Sequence, residues 1–135
     1  MKRGTPMRRT PFAHGTKPMR AKPKRASEAV LEAAAVFKIV VCSEPCIGTE
    51  ISGHVCDGPL QAMHVVPKQT LRRRGLHDLV YDATNGVAGC YEIHRRHDSK
   101  VELIARELLP ARCIRWAAEH NVLDALERHW PEATT

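Results

Sequence analysis

The sequence has few aromatic residues and no long apolar run, and both absences narrow what the protein can be. Phe, Trp and Tyr make up 4% of the 135 residues, so any core must be largely aliphatic. No apolar run approaches the ~20 residues that span a bilayer, and no apolar segment follows the basic N-terminus as in a secretory signal. We therefore expect a cytoplasmic protein of one domain with no membrane partner.

Acidic residues are missing from the start of the chain. Residues 1–27 contain nine Lys or Arg and no Asp or Glu, whereas residues 28–135 contain twelve basic and fifteen acidic residues, a net charge of −3. Residues 1–26 also contain four prolines and few apolar side chains to offset the entropy of ordering. We predict a disordered basic tail over 1–26 that binds nucleic-acid phosphates. A solubility arm and a targeting segment are the alternatives.

The number of cysteines is odd. Five cysteines cannot all pair in disulfides, and a cytoplasmic setting keeps thiols reduced. Metal ligands with a spare thiol explain this number better than a disulfide framework does. Cys113 lies on an apolar helix face and is predicted to be a core residue.

Beyond the tail, the first half of the chain alternates helical and extended patterns. Ser27 is a suitable N-cap for a helix over 28–38, along which apolar residues recur at helical spacing. The β-branched run 39–41 predicts a short strand, and the segment 43–58, which contains Pro and Gly, predicts a loop or metal-binding knuckle. Residues 60–66 predict a strand that ends before a proline.

The second half of the chain predicts one more strand followed by helices. Asn85 and the glycine after it are a turn signal, and a second short strand follows over 87–90. From Tyr91 the apolar spacing becomes helical and continues to the next proline. A C-terminal helical segment covers 109–130, with Asn121 as a possible break. Helices around a small sheet make the predicted fold class α+β.

Three polar residues occupy particular places in this order of elements. His64 lies near the end of the first strand, Asn85 stands in the turn between the strands, and His94 lies early in the following helix. Over about 40–108, this order of strand, turn, strand and helix resembles the HNH endonuclease family, including its small bacteriophage members. The resemblance implies a ββα-metal core at about 58–108 with a zinc-stapled loop and flanking helices. It also implies a hydrolase that cuts DNA phosphodiester bonds in the host cell cytoplasm.

The resemblance assigns a role to each of these residues. It makes His64 the general base that deprotonates the attacking water, which suits an imidazole because it titrates near neutrality. It makes Asn85 a loop organiser that orients the base, and His94 a ligand of the catalytic metal. Asp98 and His97 follow at i+4 and i+3 on the same helix, and either can complete the site with Mg²⁺, Mn²⁺ or Zn²⁺. A solvated polar helix face is the alternative.

One position departs from the family pattern. The residue before the base histidine is usually a metal-binding His or Asp, but here it is Met63, whose thioether is a poor ligand for hard ions. For the predicted nuclease domain, 27–135, three functions therefore stay open. One is a single-metal endonuclease, and another is a catalytically weak or inactive zinc-containing protein that binds nucleic acid. An interaction protein whose tail binds an acidic partner is a third.

The cysteines predict a second metal site. Cys42 and Cys46 have a spacing that zinc knuckles use, and Cys90 precedes the metal-binding helix. Cys56 is the best candidate to complete the set and His54 is the next. We predict a saturated Zn²⁺ site with a structural role, because four protein ligands leave no position for water. Buried free thiols are the alternative.

Basic residues around these elements are predicted to bind the phosphate backbone. Adjacent guanidinium groups can bind several phosphates and stabilise developing negative charge, although a short run of charges is also typical of solvated surface. The predicted nucleic-acid contacts are Lys68, Arg72, Arg73, Arg74, Arg95 and Arg96. Trp116 and Trp130 are expected to be packing residues.

Overall fold

The computed structural model of the protein describes residues 26–133, so all but the last residue of the predicted tail lies outside the described residues. The described part contains five α-helices and one two-stranded antiparallel sheet, which is an α+β fold as predicted. None of the helices in this part is both long enough and apolar enough to cross a membrane.

Helix α1 covers Glu28–Val41 and is longer than predicted. Ser27 caps it, because its side chain accepts a hydrogen bond at 3.3 Å from a backbone amide of the first turn. The strand predicted over 39–41 is wrong: these β-branched residues extend the helix, so that Val41 packs with Phe37 against the sheet. Burial of this helix face overrides the local preference for a strand.

Strands β1 (Leu60–His64) and β2 (Gly86–Cys90) pair in antiparallel register, with His64 opposite Gly86. β1 ends earlier than the predicted 60–66, because the Val66 backbone bonds the side chain of Asn85 and not a strand partner. The main hydrophobic core lies on one face of the sheet, and the smaller cluster formed with α1 lies on the other.

Packing, not turn geometry, requires the glycine after Asn85. Asn85 ends a 3₁₀ turn (Ala83–Asn85), and Gly86 begins β2 with φ of −130°, which any residue can adopt. A Cβ at Gly86 would collide with the side chains of Val41 and Phe37. The glycine therefore lets α1 approach the strand closely.

Two helices flank the sheet. Helix α2 (Lys68–Arg73) follows the exit of β1, and helix α3 (Tyr91–Asp98) begins directly after β2. The predicted continuation of α3 to the next proline is wrong. Lys100 adopts a left-handed φ of 58°, and the chain turns back so that the Ile104 amide donates to Nδ1 of the buried His97 at 3.1 Å.

Two short helices complete the core. Helices α4 (Ala111–Glu119) and α5 (Leu123–His129) are separated at Asn121, which has a φ of 57° and forms the predicted break. Cys113 and both tryptophans are buried in the core as predicted. The Trp130 indole also donates to the Val65 carbonyl at 2.8 Å, which ties the end of α5 to the exit of β1.

Candidate metal centre and candidate active site

Three cysteines and one histidine converge beside the end of β2. The ligand atoms of Cys46, His54, Cys56 and Cys90 all lie within 4.8 Å of one another. Cys46 and Cys90 are buried, His54 is half-buried and Cys56 is exposed. Three thiols and one imidazole are a donor set that structural zinc uses. This group can hold a metal ion and would join the loop before β1 to the end of β2.

Backbone amides prepare Cys46 to bind a metal. It caps a 3₁₀ turn (Ile47–Glu50), and its Sγ accepts hydrogen bonds from the amides of Gly48 at 3.3 Å and Cys90 at 3.2 Å. N–H donors stabilise a thiolate, which is the form that binds zinc. Burial opposes ionisation of Cys90, but neighbouring backbone groups outweigh it, so the pKa of the Cys90 thiol is lowered.

The other two ligands come from one short stretch of loop. His54 Nε2 lies 3.6 Å from Cys90 Sγ and 3.9 Å from Cys46 Sγ. Desolvation and the neighbouring Cys46 thiol raise the pKa of Cys56 to about 11. A metal must displace the Cys56 proton on binding, so metal affinity is expected to weaken as the pH falls.

Cys42 does not belong to this group, which corrects the predicted all-cysteine set. It is the C-cap residue of α1, and its amide donates to the Lys38 carbonyl at 2.9 Å. The sequence prediction ended α1 at residue 38 and left Cys42 free to fold towards Cys46. His54, the next candidate, stands in the group in its place.

A second site lies at the outer edge of β1. A cavity of about 390 Å³ opens there. Both predicted catalytic histidines line it, one from a strand end and one from a helix. The elements that form its wall are β1, the start of α2, α3 and the last turn of α5. Its lining residues are Ala62, His64, Pro67, Lys68, Gln69, His94, Asp98 and His129.

His64 is held between aromatic rings. Its imidazole stacks on Phe37 with centroids 4.5 Å apart and meets the edge of Tyr81 at 5.9 Å. Burial, with a smaller contribution from the nearby Lys68 ammonium, lowers the pKa of His64 to about 4. Its Nε2 is buried, and within residues 26–133 it has no hydrogen-bond partner. A neutral ring with an unpaired nitrogen is able to accept a proton.

Asn85 fixes the chain immediately after His64. Its Oδ1 accepts from the Val66 amide at 2.8 Å, and its Nδ2 donates to the Val66 carbonyl at 3.1 Å. The Val65 amide donates to the Asn85 carbonyl at 2.9 Å, and the Trp130 indole occupies the Val65 carbonyl. All four backbone polar groups of the two residues after His64 are therefore bonded. Asn85 thereby ties the loop at the exit of β1.

Asn85→Ala is expected to lower the free energy of unfolding by roughly 2–4 kcal/mol, because it leaves a buried amide and a buried carbonyl of Val66 without partners. Urea denaturation followed by circular dichroism measures the loss. Thr84→Ala is the matched control, since it leaves both bonds from Asn85 to the Val66 backbone in place. Equal stability of the two variants would contradict the role given to Asn85.

His94 and Asp98 form a closely spaced pair in the cavity. His94 Nε2 lies 2.8 Å from Asp98 Oδ2, and His94 Nδ1 donates to Gln61 Oε1 at 2.5 Å. An imidazole that donates from one nitrogen to an amide oxygen presents the other as a metal ligand, and such outer contacts are typical of metal sites. The pair can therefore hold a divalent ion through one nitrogen and one oxygen.

His97, the other predicted partner of His94, lies in the core and not in the cavity lining. It is fully buried, and its Nδ1 is occupied by the Ile104 amide. Its ring packs on Trp130 with centroids 4.1 Å apart. On a helix, the i+4 residue lies about 40° from the first and the i+3 residue about 60° on the other side. That rotation directs Asp98 to the cavity and His97 to the core.

The predicted nucleic-acid contacts divide into two groups. Arg74 binds Asp124 through both carboxylate oxygens, at 2.8 and 2.7 Å, and holds the pKa of that carboxyl well below its usual range. Arg95 and Arg96 both pair with Glu92. The three other predicted contacts make no ion pair within the described part of the chain, and they are Lys68, Arg72 and Arg73.

Sequence reasoning missed one histidine of the cavity. His129, at the end of α5, lines it together with His64 and His94. No motif marks this histidine, and only the docking of α5 against the exit of β1 brings it to the site.

Comparison of the chain with protein-family models, curated proteins and solved structures finds no match. The function of the protein is therefore inferred from the geometry of the two sites.

Proposed function

We propose that the protein is an HNH-type, metal-dependent endonuclease that hydrolyses DNA phosphodiester bonds with one catalytic divalent ion. The observation that carries the proposal is the single cavity that His64, His94 and Asp98 line together. Hydrolysis of a phosphodiester needs a base for the attacking water and positive charge beside the phosphate. The cavity offers the His64 imidazole as the base. The His94–Asp98 pair can hold a divalent ion, which would supply the positive charge.

In the proposed mechanism, His64 Nε2 accepts a proton from the water that attacks phosphorus. The Val80 carbonyl faces the imidazole and favours its protonated form. A carbonyl can be met by Nδ1–H of the neutral ring, which leaves Nε2 as the free base. Asn85 keeps His64 in place through its two bonds to the Val66 backbone. The stacked Phe37 ring restricts rotation of the base from the other side.

His94 and Asp98 are the residues that would hold the divalent ion, Mg²⁺, Mn²⁺ or Zn²⁺, with Gln61 fixing the imidazole. The ion, when bound, supplies positive charge that stabilises the phosphate and the departing 3′ oxygen. Met63 cannot contribute, since it is packed in the core with 1% of its surface exposed. The chain offers two ligands here, and water and substrate would fill the remaining positions of the ion.

The remaining features support a ββα-metal core with a zinc staple. β1, β2 and α3 follow in the order of that core, and the group of Cys46, His54, Cys56 and Cys90 would clamp the preceding loop onto it. Lys68 lies in the cavity wall, and Arg72 is close enough to lower the pKa of His64. These cations are suited to contact DNA phosphates without reading bases.

Purified protein is expected to nick plasmid DNA with Mg²⁺ or Mn²⁺ and to stop when EDTA is added. His94→Ala is expected to bind Mn²⁺ more than about tenfold more weakly and to lose cleavage in proportion. Calorimetric Mn²⁺ titration and gel assays measure both quantities. His77→Ala is the control, because His77 is an exposed histidine away from both sites. No cleavage by wild type with any of the three metals would end the nuclease proposal.

A second function is favoured by the burial of Met63 and of the His64 Nε2 atom. In this alternative the protein is a catalytically weak or inactive zinc-containing protein that binds nucleic acid. It would bind DNA in a salt-dependent manner and leave it uncut with Mg²⁺, Mn²⁺ and Zn²⁺. The plasmid assay combined with a gel-shift assay separates the two functions.

A further inference from the structure

His129 is the one histidine of the cavity for which the proposed mechanism has no use. It is the last residue of α5 and lines the same cavity as His64, His94 and Lys68. A ligand large enough to contact both His64 and the His94–Asp98 pair occupies the space that His129 borders. The residue thus stands where it can touch a bound substrate.

The end of α5 is anchored to elements that define the cavity. The Trp130 indole donates to the Val65 carbonyl at 2.8 Å, one residue after His64. At the other end of the helix, Asp124 is bound by Arg74 through two hydrogen bonds. These contacts fix α5 relative to β1 and to the end of α2, so the position of His129 is set by the fold and not by an exposed chain end.

A buried histidine lies behind His129. The ring of His97 meets that of His129 with centroids 4.4 Å apart and planes at 80°. Because His97 Nδ1 accepts from the Ile104 amide, the neutral ring keeps its proton on Nε2, which within residues 26–133 has no nitrogen or oxygen partner. The two rings therefore pack in an edge contact, and His97 limits the rotation of the His129 ring.

Metal binding does not account for His129. In the described part of the chain, no group of three ligand atoms within 4.8 Å of one another includes it with His94 and Asp98. Lys68 lines the same cavity, and its ammonium makes the cavity attractive to an anion. An imidazole N–H in a cavity that also holds an ammonium is suited to a phosphate oxygen, to which it can donate.

We propose that His129 is a substrate-contacting residue that donates a ring N–H hydrogen bond to a phosphate oxygen of the nucleic acid bound in this cavity. This inference rests on the proposed function, because it assumes that the cavity takes a phosphodiester. It makes the C-terminal helix part of the active site, in addition to the strand and helix that bear His64 and His94. Lys68 and His129 then bind the phosphate in the cavity that the metal pair also lines.

The first test separates phosphate contact from metal binding. His129→Ala is expected to lower kcat for plasmid nicking about 10- to 100-fold, as for loss of one hydrogen bond to a charged group, with Mn²⁺ affinity unchanged. His129→Gln, which keeps an N–H donor, is expected to recover part of the rate. The control is His120→Gln, a half-buried histidine that packs on Trp116 away from the cavity. A parallel fall in Mn²⁺ affinity, or no loss of rate, would overturn the proposal.

The second test does not depend on cleavage. Inorganic phosphate is titrated into the protein with ¹⁵N-labelled histidine, and the ring signals of His129 are followed in wild type and in the His120→Gln control. We expect these signals to shift with phosphate and to be absent from the His129→Gln spectrum. A wild type that cuts no DNA but shows this shift would overturn the nuclease proposal and keep the phosphate contact. A wild type that cuts DNA without this shift would overturn only the contact.

Discussion

Cys46→Ser is expected to leave the protein without zinc and largely unfolded. Wild-type protein should contain one zinc ion per chain. The loop between α1 and β1 has only one 3₁₀ turn of regular structure and three buried residues, Cys46, Ile47 and Gly48. Structural zinc in small domains contributes roughly 10–16 kcal/mol of binding free energy that is also folding free energy. We therefore expect a loss of at least about 5 kcal/mol, which is comparable to the whole stability of many domains.

The control variants distinguish the Cys₃His group from the all-cysteine set. Cys42→Ser is expected to keep its zinc and most of its stability, because Cys42 is the C-cap of α1 and lies outside the group. His54→Ala is expected to lose zinc, because it removes one of four ligands. Zinc content by elemental analysis and thermal unfolding by circular dichroism are the measurements. Zinc retained by His54→Ala and lost by Cys42→Ser would restore the all-cysteine set.

Cys42 and His54 show how far the sequence could predict the metal centre. The sequence prediction included Cys46, Cys56 and Cys90 in one metal site, and the structure brings these three thiols together. Cys42 was wrongly included because the sequence prediction ended α1 at residue 38, whereas the helix continues to Val41. The apolar residues 39–41 have a β preference, and only the packing of Phe37 and Val41 on the sheet reveals that they are helical.

The cavity, too, could be predicted from the sequence only in part. Antiparallel pairing places the start of β1 beside the start of α3 and leaves His64 at the other end of the strand. His94 joins His64 in the cavity because α3 packs back along β1, where His94 contacts Gln61. The preference for Asp98 over His97 depended on the helix rotation that buries His97 beside Trp130. His129 was out of reach of sequence reasoning, because a contact between residues 65 and 130 sets its position. Local patterns predict local sites, whereas docking of distant helices requires the tertiary structure.

His64→Ala is expected to reduce kcat/KM for DNA cleavage by roughly 10²–10⁴-fold, which is the usual contribution of a positioned general base. Binding of Mn²⁺ should be unchanged, since His94 and Asp98 remain. The loss should be the same at every pH above the pKa of the base. His77→Ala, the exposed control, should cleave at the wild-type rate. A His64→Ala protein that cleaves like wild type would remove the base assignment.

The pH dependence of wild-type cleavage also tests the assignment of His64 as the base. Burial and the Lys68 ammonium lower the pKa of His64 to about 4, so the ring is neutral and able to accept a proton throughout the range above it. As the pH falls through that value, the base becomes protonated and kcat/KM should decline. With Mn²⁺ kept saturating at each pH, we expect the acid limb well below the ordinary histidine value of about 6.5. An acid limb centred near 6.5 would show that a less buried group is the base, because His64 is stacked between Phe37 and Tyr81 and is poorly able to hold a charge.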